Sequence, residues 1–132
     1  MATFPRRSKV LTLEQALLAD AIVSGVVGVA SLAGARRLAS LLDLPMAFLA
    51  GSGTIAVAYG AALAMLARRT PVPSAVGRAV ILDNLVWAAA GAFLLFSGWV
   101  DPNGLGVGFL LVHIVGALVL AEMQAMARRA ER

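Results

Sequence analysis

Cysteine is absent from this chain, which removes disulfide scaffolds, zinc-thiolate centres, iron-sulfur clusters and thiol redox relays from consideration. Charge is scarce: 14% of residues are Asp, Glu, Lys or Arg, against about 25% in ordinary soluble domains. There is one histidine, His113, and one tyrosine, Tyr59, so a paired-histidine metal motif cannot be written from this sequence. Phosphate-cradling glycine loops after a strand, and serine elbows with a histidine partner, are also missing. These gaps predict a protein that is not an enzyme, with no catalytic residues, no cofactor and no metal.

What fills the chain is apolar. Hydrophobic residues make up 61% of it and gather into four stretches, Leu11 to Leu32, Pro45 to Ala67, Ala75 to Ser97 and Asn103 to Ala127. At about 1.5 Å per residue, each stretch as a helix covers the roughly 30 Å of a hydrocarbon core. The expected fold is therefore all-α: a single integral membrane domain over residues 1–132, built as an up-down-up-down four-helix bundle.

Local punctuation supports those boundaries. Thr12 followed by Gln15 reads as a capping box, Pro45 suits a first helical turn, Pro71 and Pro73 break the second connection, and Asp101-Pro102-Asn103-Gly104 forms the third. In the first connection, Arg36, Arg37, Leu38, Leu41, Leu42 and Leu44 fit a short amphipathic helix lying on a bilayer surface. Although Arg6, Arg7 and Lys9 resemble the start of a secretory signal, the following run is long and carries Glu14 and Asp20, so it reads as an uncleaved first span.

Ten of the eleven cations are arginine, and they sit at span ends rather than along a face suited to nucleic acid. Arg6, Arg7, Lys9, Arg68, Arg69, Arg78, Arg128, Arg129 and Arg132 fall on one side of the expected topology, and only Arg36 and Arg37 on the other. That bias predicts cytoplasmic N- and C-termini, with anionic lipid head groups as partners of the arginines.

A faint repeat relates Leu18-Ala19-Asp20 to Leu82-Asp83, and the glycine eight residues on recurs as Gly28 and Gly91. Small residues form ridges, Ser24, Gly28 and Ser31 on the first span and Gly53, Ala56, Gly60, Ala64 and Ala67 on the second. Such ridges let helix backbones approach closely, and they also offer a surface for a homodimer or a larger membrane complex.

The polar residues inside the spans are the candidate site. Asp20 and Asp83 fall about eight residues, or about 12 Å, into the first and third spans, where a carboxylate costs roughly 2.5–3.5 kcal/mol on insertion scales. Both are expected to face the bundle interior. Tyr59, Asn84 and Glu122 fall at similar depth, with Trp87 and His113 a layer beyond, His113 on a face that continues to Ala117, Leu120 and Gln124.

Two readings of this cluster stand side by side. The aspartates can accept hydrogen bonds from Tyr59, Asn84 or Trp87, or pair with Arg78, and so fix helix register. Alternatively Asp20, Tyr59, Asp83, Asn84, Trp87 and His113 form a ligand or proton site, since acids within a membrane mark functional paths more often than most buried residues. The first reading gives a small binding or accessory protein. The second allows a proton-linked transporter or channel for a small solute. A third class, an enzyme or a haem protein, would need His113 to find a second axial ligand, for instance from another protomer.

The Leu44-Pro45 turn after a basic segment, followed by the glycine-rich span from Gly51 to Ala67, resembles small bacterial four-span proteins, including DoxX-like ones. The resemblance covers the first half best. This chain lacks the cysteines of redox-linked members, and no functional residue transfers. It implies a multi-pass protein of the bacterial inner membrane.

Overall fold

A computed structural model describes residues 11–69 and 71–132; the cations Arg6, Arg7 and Lys9, counted above for orientation, lie outside the described residues. The described chain is helical, with α1 Leu13–Ala33, α2 Ala35–Leu42, α3 Met46–Ala67, α4 Ser74–Ser97 and α5 Gly104–Ala130. Of these, α1, α3, α4 and α5 are long and apolar enough to cross a membrane.

Each of the four long helices begins where the sequence supplies a start signal. The Thr12 hydroxyl accepts from the Gln15 amide at 3.1 Å, and the Gln15 side chain accepts from the Thr12 amide at 3.1 Å, completing the capping box of α1. Pro45 and Pro73 stand immediately before α3 and α4, at φ −59° and −58°. Asn103 caps α5 by accepting from the Gly106 amide at 2.9 Å. Asp43 ends α2 in the left-handed region at φ 51°, which a short polar side chain tolerates, and the Leu44-Pro45 step redirects the chain into α3.

The tightest packing joins α1 to α3. A methyl placed on Gly28 would meet the Gly53 carbonyl and the Val57 amide at 2.8 Å, and one on Gly60 would meet the Ala21 carbonyl at 2.9 Å. The two small-residue ridges therefore meet backbone to backbone, with dispersion as the main attraction. The second close pair is α4 with α5, where Gly91 faces Ile114 and Gly77 faces Arg128. Contact between α1 and α5 connects the pairs, whereas α3 and α4 stand apart in the described chain.

Two dry cores close the ends. At the end carrying Arg68, Arg78 and Arg128, Leu13, Leu17, Leu63, Ala67, Val80 and Ala127 pack together, and Glu131 accepts from the Leu13 amide at 2.9 Å, tying the tail of α5 to the head of α1. At the other end α2 lies across the bundle. Leu42 and the following Leu44 are buried with Ala35 and Leu49, while Leu41 stays exposed. Asn103 fastens this end: its side chain donates to the Leu41 carbonyl at 2.7 Å and its amide to the Leu42 carbonyl at 3.2 Å.

Candidate functional site

Between the two dry cores lies a polar layer centred on Asp20. Its side chain is fully buried, and four side chains surround it. Ser24 Oγ donates to Oδ1 at 2.9 Å, while Oδ2 receives Gln124 Nε2 at 2.6 Å, Asn84 Nδ2 at 2.7 Å and the Tyr59 hydroxyl at a long 3.5 Å. Asn84 Nδ2 also reaches Gln124 Oε1 at 3.1 Å. One carboxylate thereby links α1, α3, α4 and α5.

The amide orientations are mutually enforced. Turning Gln124 would aim its oxygen at the carboxylate and its nitrogen at Asn84 Nδ2, placing acceptor against acceptor and donor against donor. Each of the four partners is placed to donate to Asp20. Such geometry suits a register lock, because separating any of the four long helices removes a donor from the same group.

Asp83 has a different position. It was expected to face the interior beside Asp20, but it is exposed, at the lip of a cleft between α3 and α4. The cause is helical phase: neighbouring residues point about 100° apart, so the rotation that turns Asn84 onto Asp20 swings Asp83 sideways. The two aspartates therefore do not form a jointly buried pair. Tyr59 connects the two environments, lying close to both carboxylates.

The cleft has a volume of about 580 Å³, within the range of small-molecule sites. Its floor comes from α1 and α5 and its walls from α3 and α4. Val27, Ala56, Gly91, Leu94, Leu110 and Gly116 make it largely apolar, and Asp83 is the one charged side chain among the described residues lining it. Trp87 lies one helical turn beyond Asp83 on the same wall, and His113 projects from α5. The His113 Nδ1 sits 2.7 Å from the Phe109 carbonyl, which can only accept, so Nδ1 carries a proton and Nε2 is left facing away from that bond. The Phe109 ring lies against it, with centroids 4.2 Å apart.

Of the six residues singled out from sequence, Asp20, Asn84 and Tyr59 meet in the lock, whereas Asp83, Trp87 and His113 line the cleft, together with Tyr59 and Asn84. Glu122, placed by depth in the same layer, is exposed and takes no place in it; Gln124 occupies that role, fully buried. Gln124 and Ser24 were missed as site residues. The signal was present for both, since Gln124 continues the His113 face and Ser24 lies four residues beyond Asp20. Among the described residues no three His, Asp or Glu side chains converge as a metal-binding group.

Comparison with known proteins finds no matching family model, no similar curated protein and no similar solved structure.

Proposed function

We propose that this chain is a non-catalytic, multi-pass binding protein of the bacterial inner membrane, in which α1, α3, α4 and α5 cross the bilayer up-down-up-down and the α3–α4 cleft admits a small, largely apolar ligand from the lipid side. The observation that carries this reading is the cleft itself: apolar in most of its lining, polar at its base, and held between two packed cores by the Asp20 lock.

The outer surface supports membrane insertion. Val26, Met65 and Val112 are 65%, 72% and 70% exposed, alongside many other large apolar side chains, a surface too extensive for a water-soluble monomer. Arg68, Arg69, Arg78, Arg128, Arg129 and Arg132 against Arg36 and Arg37 favour cytoplasmic placement of the C-terminus and of the α3–α4 connection.

The two tryptophans, Trp87 and Trp99, make the cleft measurable. In the Trp99→Phe protein reconstituted with lipids brominated at mid-chain, Trp87 emission is quenched if acyl chains enter the cleft. Gly116 lines the cleft with open space around its Cβ position, so Gly116→Leu fills the cleft without striking the fold and relieves the quenching. Unquenched Trp87 emission, or quenching indifferent to Gly116→Leu, contradicts a laterally open cleft.

A further inference from the structure

Asp83 presents a negative charge to a cleft whose described lining holds no lysine or arginine to balance it. Tyr59 stands near it, with a hydroxyl that reaches Asp20 only at a long 3.5 Å. In an apolar setting a carboxylate in that position is a standing demand for positive charge. Around it are the features that recognise a bulky cation rather than a hydrated metal ion. Trp87 projects from the same wall one turn on, Tyr59 stands on the opposite wall, and the remaining volume is bounded mainly by aliphatic side chains. Indole and phenol rings attract a cation through their π faces, most strongly where water is excluded. A small inorganic ion would need several oxygen ligands at short range, and this cleft offers one carboxylate. An anion would meet Asp83 directly.

Building on the cleft-binding reading, we propose that the ligand class is a lipophilic organic monocation, such as a quaternary ammonium or phosphonium. Its charged centre sits against the Asp83 carboxylate between Trp87 and Tyr59, and its apolar body extends along Ala56, Gly91 and Leu94. Asp20 takes no direct part; it holds Asn84 and Tyr59 in place. Asp83 supplies charge selectivity, and the aliphatic walls supply most of the contact area.

The test uses the full chain with Trp99→Phe in detergent micelles, following Trp87 emission during titration with tetraphenylphosphonium, tetraphenylborate and uncharged triphenylphosphine oxide. The same protein carrying Gly116→Leu serves as the blank for partition into micelles. Saturable quenching by the phosphonium is expected, at least ten-fold tighter than by the oxide, with none from the borate. Asp83→Asn should weaken phosphonium binding ten-fold or more and leave the oxide unchanged, while Asp83→Glu restores selectivity. Because Asp83 is outside the Asp20 lock, its substitution leaves the folded helical spectrum intact, and circular dichroism checks this. Equal affinity for phosphonium and oxide, insensitive to Asp83→Asn, overturns the cationic assignment while the cleft remains a binding site. Absence of saturable binding by all three probes overturns both.

Discussion

Replacing Asp20 by alanine removes the shared acceptor of four side chains, and the cost follows from the geometry. Hydrogen bonds across helices in a bilayer average about 0.6 kcal/mol and reach about 1.7. The bonds from Gln124 at 2.6 Å and Asn84 at 2.7 Å are short, charge-assisted and buried, and belong near the upper value; Ser24 adds an average one, and Tyr59 at 3.5 Å adds little. We expect Asp20→Ala to lose about 2–4 kcal/mol. Asp20→Asn should lose only about 1 kcal/mol, since its oxygen still serves Asn84 and Gln124 while its nitrogen turns to Ser24 Oγ, which can reverse its hydroxyl. The assay is reversible unfolding in mixed micelles, read by helical circular dichroism. The expected order is wild type, then Asp20→Asn, then Asp20→Ala. If Asp20→Ala matches or exceeds wild type, burial of the carboxylate costs more than its four bonds return, and the lock is refuted.

Three further outcomes follow from packing and caps. Gly53→Val should destabilise by about 1–3 kcal/mol or more, because its Cβ would stand 2.9 Å from backbone atoms of α1, whereas Gly51→Ala, with open space around it, should stay within about 0.5 kcal/mol of wild type in the same unfolding assay. Asn103→Ala should cost about 1–2 kcal/mol by removing both the α5 cap and the bond to the Leu41 carbonyl, and hydrogen exchange should rise first in α2. Glu122→Gln should leave stability within about 0.5 kcal/mol, while Gln124→Leu, which strips Asp20 and Asn84 of a partner, should lose about 1–2 kcal/mol.

Helix number and extent were legible because they depend on run length and on punctuation, features a sequence displays directly. The spans read from Leu11, Pro45, Ala75 and Asn103 begin within two residues of the helices observed, and the Thr12–Gln15 capping box forms as expected. Rotation of each helix about its axis was less legible. A helix apolar on every side has no solvent-facing stripe to set its phase, so Asp83 and Asn84, adjacent in sequence, were equal claimants for the interior. The same ambiguity left Gln124 unclaimed, although a neutral amide can satisfy both Asp20 and Asn84 while avoiding a second buried carboxylate. The short helix of the first connection was legible from its leucine spacing, but its packing partner Leu49 was not, because that contact is set by the tertiary fold.

The absence of cysteine allows membrane passage to be tested without background labelling, using single cysteines at Ser40, Asp101, Arg69, Arg132 and Val26 in sealed vesicles of known orientation. A membrane-impermeant maleimide should label positions 69 and 132 from the cytoplasmic side only, positions 40 and 101 from the opposite side only, and position 26 from neither. Labelling of all four end positions from one side, or ready aqueous labelling at position 26, would contradict the four-span account.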